Sequence, residues 1–177
     1  MADLSLAAVR ARALKLMIFD VDGVLTDGSL YLSDSGEEIK AFNTLDGQGL
    51  KLLQANGVAL AIITARESKL VARRAHSLGI EHVYQGIGNK LQSYEALRNQ
   101  LGLAHNECGY MGDDLPDLCI LSRCGFAATV PHAMTALKDH AHYVSTAAAG
   151  HGAAREVCEF ILQARGQLDA AVASFLE

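Results

Sequence analysis

The sequence predicts an α/β protein in which a parallel, Rossmann-like sheet carries helices on both faces. Short apolar runs alternate with helical patterns along the 177 residues, which is typical of a parallel sheet. Acidic residues directly follow the first apolar run, at the edge of the sheet where α/β proteins bind ligands. One stretch, residues 28–42, departs from the alternation. No repeat or linker divides the chain, so we predict one domain over residues 1–177.

Six apolar runs are predicted to be strands because they are short and bounded by turn signals. They cover residues 14–19, 58–63, 82–85, 108–111, 125–129 and 142–145. Helices are predicted over about 46–56, 67–78, 90–101 and 114–122, and from about 153 with a break at Gly166. Residues 1–13 form an Ala-rich N-terminal segment, and residues 146–177 form the C-terminal tail and helix.

Residues 28–42 contain two short runs around a polar turn at 33–36. This arrangement predicts a β-hairpin that projects from the domain. A ribbon of two strands is too small to bury an apolar face alone, so we expect this face to pack against another surface. The face is predicted to comprise Leu30, Leu32, Ile39 and Phe42.

Composition narrows the range of partners. The formal net charge is −5 and Lys and Arg form no cluster, so we expect no nucleic-acid or membrane partner. No apolar run approaches the ~20 residues of a membrane-spanning helix. The first 14 residues lack the apolar block of a secretory signal. The four cysteines form no metal-type pattern and are expected to be reduced, so we predict a cytoplasmic protein.

Asp20 and Asp22 lie at the carboxyl end of the first predicted strand. Alternate residues of an extended segment point to the same side, so both carboxylates can address one site, and Gly23 allows a sharp turn after them. Further polar residues follow later strands or open a helix. If the sheet is parallel, all of them meet at one edge. These further residues are Thr64, Lys90 and Asp113.

Carboxylates combined with one hydroxyl and one ammonium group favour phosphoryl transfer through a covalent aspartyl-phosphate. We predict that Asp20 is the nucleophile, and that Asp22 protonates the leaving alkoxide and later activates water. Lys90 would neutralise the transferred group while Thr64 holds its oxygens. The predicted cofactor is Mg²⁺, which prefers oxygen ligands. Its predicted ligands are Asp20, Asp22 and Asp113, with a backbone carbonyl among the donors.

Each motif alone also has an ordinary structural explanation. Asp113 and Asp114 could cap a helix, and Lys90 could be a solvated helix residue. Their joint occurrence at several predicted strand ends favours catalysis. Asp114 and Asp117 are expected to orient a metal-bound water or to fix the lysine.

These motifs, in this order and spacing, resemble the haloacid dehalogenase-like phosphatase superfamily over about residues 14–130. The resemblance implies the same catalytic and metal-binding roles. Members of the superfamily usually carry a lid domain between their motifs. Here the hairpin, one helix and one strand use nearly all of the chain between Asp22 and Thr64, and the interval to Lys90 is shorter still. We therefore expect no inserted cap domain, and closure of the site by another subunit.

Four stretches narrow the resemblance to the 3-deoxy-D-manno-octulosonate 8-phosphate phosphatase family. They are residues 20–28, 36–43, 46–47 and 150–158. That family is a lidless tetramer in which the hairpins pack together and a neighbour's C-terminal tail covers the site. The resemblance therefore implies a homotetramer that hydrolyses 3-deoxy-D-manno-octulosonate 8-phosphate in lipopolysaccharide precursor biosynthesis.

The resemblance also implies a set of substrate contacts. Guanidinium groups suit the carboxylate of a sugar acid because they bind it in a bidentate way. Arg74 can equally be a solvated helix residue. Residues 150–152 with Arg155 form either a flexible tail that ends in a cation or an ordinary loop before a helix. The implied contacts are Asp22, Asn43, Thr44, Leu45, Asp46, Gly47, Lys51, Arg66, Arg74 and Lys90.

Two departures from the family pattern leave alternatives open. Ala65 stands where the family usually has glycine, and residues 86–90 lack a polar residue often found before the lysine. Related lidless phosphatases act on nonulosonate 9-phosphates, which are the alternative substrate class. A phosphorylatable receiver-type regulatory domain uses similar groups, but there the lysine comes last. Here Lys90 precedes Asp113, and a long-lived switch has no use for a general acid such as Asp22.

Overall fold

A central parallel sheet organises the computed structural model, which describes residues 4–176. Its strands are β1 (Leu16–Phe19), β4 (Ala59–Ile63), β5 (His82–Tyr84), β6 (Cys108–Met111), β7 (Phe126–Thr129) and β8 (Tyr143–Val144). Their order is β5-β4-β1-β6-β7-β8, and every neighbouring pair is parallel. The predicted fold class is confirmed, and each predicted strand is present within two residues of its predicted bounds.

Helices connect these strands. They are α1 (Leu4–Arg12), α2 (Thr44–Ala55), α3 (Lys69–Leu78), α4 (Lys90–Gln100), α5 (Leu118–Leu121), α6 (Thr135–His140), α7 (Ala153–Ala164) and α8 (Leu168–Ala173). The sequence did not predict α1 or α6. Helix α1 buries only the small residues Ala7 and Ala11, so its apolar stripe is weak. The predicted helix at 114–122 is a 3₁₀ turn followed by the short α5. None of the helices within 4–176 is long and apolar enough to cross a bilayer.

Strand β1 lies at the centre of the sheet and is fully buried. Its register aligns Phe19 with Ile62 of β4 on one side and with Met111 of β6 on the other. The three strands are parallel, so the residues that follow them leave the sheet at the same edge. This register brings Asp20, Thr64 and the segment after Met111 together.

The predicted hairpin is present as β2 (Tyr31–Leu32) and β3 (Glu38–Ile39), with Tyr31 paired antiparallel to Ile39. Leu30, Leu32 and Ile39 of the predicted apolar face are exposed, but Ile39 pairs with Tyr31 and Leu32 with Glu38, so Leu32 and Ile39 point to opposite sides of the ribbon. Phe42 is not part of this face: it packs against the core, and the Arg74 guanidinium lies 6.0 Å from its ring centre. Phe42 therefore anchors the base of the hairpin, because a large ring next to the domain is buried more easily than one at the tip.

The start of the C-terminal tail packs on its own chain. Helix α7 buries an apolar face against α2, and a side chain at Gly49 would approach the Arg155 backbone to 2.8 Å. Gly150 donates a hydrogen bond to Val24 O at 3.0 Å. Of the two alternatives for residues 150–152, the structure shows an ordered loop before a helix. Gly166 has φ +68° and separates α7 from α8, as predicted.

Candidate active site

A polar cleft of about 310 Å³ opens at the carboxyl edge of β1, β4 and β6. It brings together all five residues that the sequence predicted to be catalytic or metal-binding. No cap domain is inserted between these motifs in residues 4–176. The cleft is lined by Asp20, Asp22, Gly28, Thr64, Ala65, Arg66, Lys90, Asp113, Asp114, Pro116 and Asp117.

Lys90 is the first residue of α4, and its ammonium group is buried between two carboxylates. Nζ lies 2.9 Å from Asp20 Oδ2 and 2.7 Å from Asp117 Oδ1. The Asn89 side chain accepts a hydrogen bond from Gln92 N at 3.2 Å, which begins the helix at this point. Burial lowers the pKa of Lys90, but the two carboxylates outweigh it and raise the pKa. Lys90 is therefore a fixed positive charge beside Asp20.

Asp117 fixes the lysine, which is one of the two roles expected for it. Its Oδ1 accepts from Lys90 and, at 2.6 Å, from the Tyr110 hydroxyl. Its Oδ2 accepts from Asp113 N at 3.0 Å and from Asp114 N at 3.2 Å. Both oxygens are thus occupied, and Asp117 positions other groups. The Asp114 carboxylate, by contrast, is exposed and accepts from Leu115 N.

Asp20 and Asp113 have the features of a cation site. Asp20 Oδ1 and Asp113 Oδ1 are buried and have no hydrogen-bond partner in the described part of the chain. Carboxylate oxygens of these residues and of Asp117 lie within 4.8 Å of one another. Gly23 has φ +90°, and a Cβ there would overlap the Asp113 carboxylate. Unpaired buried carboxylate oxygens are unfavourable unless a cation or proton joins them, and such donors fit Mg²⁺.

The side chain of Asp22 is engaged away from this pair. Lys40 Nζ contacts its Oδ1, and Arg66 Nε lies 3.8 Å from its Oδ2. Asp22 as a metal ligand stays a prediction; with its carboxylate held by these two cations, a backbone carbonyl is the donor that fits the predicted site. The two cations fix the position of the Asp22 carboxylate in the lining of the cleft, where the sequence predicts that it exchanges a proton with substrate.

The hairpin segment places two residues that sequence analysis missed, Glu38 and Lys40, against the cleft residues Asp22 and Arg66. Glu38 Oε1 lies 3.5 Å from Lys40 Nζ and 3.2 Å from Arg66 Nη2, and its Oε2 accepts from Ser68 Oγ at 2.8 Å. The Ser68 hydrogen bond is the largest cause of a lowered pKa of Glu38. Residues 38 and 40 alternate along a strand and so share a face. That spacing was visible in the sequence, but nothing in it indicated that the face turns towards Asp22.

Residues 43–47 lie beside the cleft rather than in it. Asn43 Oδ1 accepts from Leu45 N at 2.8 Å and so caps α2, while Nδ2 donates to Gly150 O at 3.2 Å. Asp46 is buried and accepts from Gly152 N at 3.2 Å and Arg155 N at 2.9 Å, which caps α7. Thr44 and Leu45 are exposed. Within one chain, these residues join α2 to the tail.

The remaining predicted substrate contacts also lie outside the cleft. Arg74 Nη2 donates to Asn43 O at 3.0 Å, and a Cβ at Gly47 would overlap this guanidinium. Lys51 is exposed and lines a separate groove between α2 and α8. Only Asp22, Arg66 and Lys90 of the implied substrate contacts line the cleft of this chain.

The two candidate cation ligands also predict how cation binding depends on pH. Burial, followed by repulsion from neighbouring carboxylates, raises the pKa of Asp113 to about 7 and that of Asp20 to about 6. A divalent cation must displace these protons. Its apparent affinity should therefore fall about tenfold for each unit by which the pH drops below these pKa values, for each proton displaced. Titration calorimetry with Mg²⁺ at about pH 6 and about pH 8 checks this linkage. Equal affinity at both would contradict it.

The same pKa shifts determine the pH dependence of stability without a cation. Both folded-state pKa values lie above the unfolded value of 3.8, so the folded state binds more protons. The contribution of these two groups to the free energy of unfolding is then largest below about pH 4, and it is lost as the pH rises through about 7. Added Mg²⁺ should restore it on the alkaline side.

Comparisons with known proteins agree with this geometry. A protein-family model for haloacid dehalogenase-like hydrolases matches residues 80–157. The 3-deoxy-D-manno-octulosonate 8-phosphate phosphatase KdsC of Escherichia coli (strain K12) is 44% identical over 162 residues, which cover 92% of this chain and 86% of that protein.

Two solved structures are also similar. A probable YrbI-family phosphatase from Pseudomonas syringae pv. phaseolica 1448a is 50% identical with a TM-score of 0.96, and the match covers 98% of each chain. The 3-deoxy-D-manno-octulosonate 8-phosphate phosphatase of Moraxella catarrhalis, in complex with magnesium, phosphate and a KDO molecule, is 43% identical with a TM-score of 0.94. That match covers 96% of this chain and 97% of the other. The chain therefore belongs to the haloacid dehalogenase-like hydrolases and, among them, to the 3-deoxy-D-manno-octulosonate 8-phosphate phosphatase family.

Proposed function

We propose that the protein is a Mg²⁺-dependent phosphomonoesterase that hydrolyses 3-deoxy-D-manno-octulosonate 8-phosphate to 3-deoxy-D-manno-octulosonate and phosphate, a step in lipopolysaccharide precursor biosynthesis. The observation that carries this proposal is the geometry around Asp20. One oxygen of its carboxylate accepts from the buried Lys90 and the other is unpaired, and the carboxylate of Asp113, which also has an unpaired oxygen, lies within 4.8 Å. A nucleophile, a fixed positive charge and a cation site thus converge at one point.

The first step transfers the phosphoryl group to Asp20. The attacking atom is one oxygen of the Asp20 carboxylate, and its other oxygen would remain with the cation. The new Asp20–phosphorus bond forms as the bond from phosphorus to the sugar oxygen breaks, and Asp22 gives its proton to that oxygen. In the second step Asp22 takes a proton from water, whose oxygen attacks phosphorus. Phosphate leaves and Asp20 is regenerated.

The other cleft residues stabilise charge. Lys90 neutralises the transferred phosphoryl group, and Thr64, buried after β4, holds its oxygens together with nearby backbone N–H groups. Asp20 and Asp113 hold the Mg²⁺, which, when bound, reduces the repulsion between an anionic nucleophile and an anionic substrate. Asp117 and Tyr110 keep Lys90 in place.

Membership in the family and the Moraxella catarrhalis relative bound to KDO support the substrate assignment. The Arg66 side chain is 48% exposed at the mouth of the cleft, where it can pair with a sugar-acid carboxylate. The family usually has glycine where this chain has Ala65. Because this difference changes the shape of the cleft beside Arg66, nonulosonate 9-phosphates are the second candidate substrate class.

We expect the eight-carbon keto-acid phosphate to have the highest kcat/KM in a panel of sugar phosphates. Phosphate release is measured with and without Mg²⁺ for this substrate, a nonulosonate 9-phosphate and neutral hexose phosphates. Arg66→Gln should raise KM for the sugar acids by about tenfold, since one charged hydrogen bond is lost, and leave the neutral esters unchanged. Equal kcat/KM for all esters would contradict the substrate assignment.

The proposal includes a homotetramer in which the hairpins pack together. The hairpin exposes Tyr31 and Ile39 on one side and Leu32 on the other, and further copies of the chain offer the same apolar residues for burial. The end of the tail is also apolar and exposed, at Val172, Phe175 and Leu176. In the proposed assembly the C-terminal tail of a neighbour covers the site, and the exposed apolar end of the tail favours contact with another subunit. We place the enzyme in the cytoplasm, in keeping with its four free cysteines.

Substitution of exposed apolar residues of the hairpin by charged residues should break this association. We expect the double substitution Leu32→Asp and Ile39→Asp to convert a tetramer into smaller species in light scattering, and to lower kcat if a neighbour closes the site. Glu37→Gln, on the same hairpin but away from the apolar face, is the matched control. A chain that is monomeric before substitution, or a tetramer that survives it, would refute hairpin-mediated assembly.

A further inference from the structure

We propose that Lys40 is a positioning residue that holds Asp22 for proton transfer. The inference rests on the proposed function, in which Asp22 is the general acid and base. Lys40 belongs to the hairpin segment, 18 residues after Asp22, and none of the predicted catalytic or substrate roles includes it.

The position of Lys40 is closely specified. Its side chain is only 1% exposed, and its ammonium contacts Asp22 Oδ1 and lies 3.5 Å from Glu38 Oε1. A buried ammonium is unfavourable unless it is paired, and here two carboxylates pair with it. Glu38 is in turn held by Ser68 at the start of α3. The hairpin is thus tied through Lys40 to both the catalytic aspartate and the domain.

Asp22 needs such support. It lies in a turn directly before Gly23, which has φ +90°, so no regular backbone structure fixes it. Lys40 occupies Oδ1, whereas Oδ2 is buried with no hydrogen-bond partner among residues 4–176. Oδ2 is therefore the oxygen free to carry the proton. The second cation near Asp22, Arg66, lies 3.8 Å away on a half-exposed side chain and is available to substrate.

The consequence is a specific kinetic signature. A general acid matters most when the leaving oxygen is basic, and it contributes little when the leaving group is a stable anion. Displacement of Asp22 should therefore slow the hydrolysis of esters of basic alcohols and leave the hydrolysis of esters of acidic phenols nearly unchanged. Loss of a merely structural lysine would slow all esters equally.

The test uses substituted aryl phosphates that differ only in the pKa of the phenol. We expect Lys40→Met to steepen the dependence of log kcat/KM on that pKa, with losses of about 10- to 100-fold for the most basic phenol and under about threefold for the most acidic. In an Asp22→Asn background the same substitution should change kcat/KM by less than about twofold, because the two residues act as a unit. Lys40→Arg should restore part of the activity.

Circular dichroism and thermal unfolding show whether the variants are folded. Lys138→Met, a lysine of α6 outside the cleft, is the matched control for loss of one charge. The inference would be overturned if log kcat/KM depended equally steeply on phenol pKa in wild type and Lys40→Met, or if Lys40→Met lowered kcat/KM as much in the Asp22→Asn background as in wild type. Either result would leave the proposed function intact. A wild type that hydrolyses none of the esters would overturn both.

Discussion

We expect Asp20→Asn to abolish phosphate release while the fold survives. An amide is a far weaker nucleophile than a carboxylate, and loss of the attacking group in covalent enzymes costs on the order of 10⁴-fold or more in kcat. Asp20 is buried with one unpaired oxygen, so the amide fits without adding charge. Its carbonyl oxygen can still accept from Lys90. Phosphate release with the sugar-acid phosphate measures the loss.

Thermal unfolding separates this loss from misfolding. Burial raises the pKa of Asp20, which shows that its charge is unfavourable there without a cation, so the variant should unfold at a temperature no lower than the metal-free wild type. Asp34→Asn, exposed at the hairpin turn, is the matched control and should keep full activity. Turnover by Asp20→Asn at the wild-type rate would rule out Asp20 as the nucleophile.

Removal of the divalent cation should have an effect of similar size. We expect a chelator to stop phosphate release and added Mg²⁺ to restore it, because Asp20 and Asp113 otherwise repel the substrate phosphate. Binding should also stabilise the fold, by about 2.7 kcal/mol at a cation concentration 100 times the dissociation constant. Thermal unfolding with and without Mg²⁺ records this shift independently of activity.

Asp113→Asn identifies the ligand. This variant should lose both the Mg²⁺-dependent rise in unfolding temperature and the activity, since the amide lacks the negative charge that attracts the cation. Asp139→Asn, at an exposed aspartate of α6 that does not line the cleft, should keep both. If the two variants behave alike, the cation is not bound by the carboxylates of Asp20 and Asp113.

Much of this architecture was predictable from local patterns. The alternation of apolar runs and helices determined a parallel sheet, because strands buried on both faces have continuous apolar sequences. Placement of Asp20, Thr64 and Lys90 at one edge then followed from topology, since parallel strands all end on the same side. Helices α1 and α6 escaped prediction because short or Ala-rich helices leave a weak periodic signal.

The sequence by itself thus determined the fold class and the candidate residues that meet at one edge of the sheet, because both depend on spacing along single elements. Only the tertiary structure decided which charges pair. Lys40 pairs with Asp22, and Asp117 pairs with Lys90. Asp46 accepts a hydrogen bond from the backbone N–H of Gly152, 106 residues later, and so caps α7. Each pairing joins segments distant in the chain, and the free energy of a buried charge depends on the neighbours that surround it in space rather than in sequence.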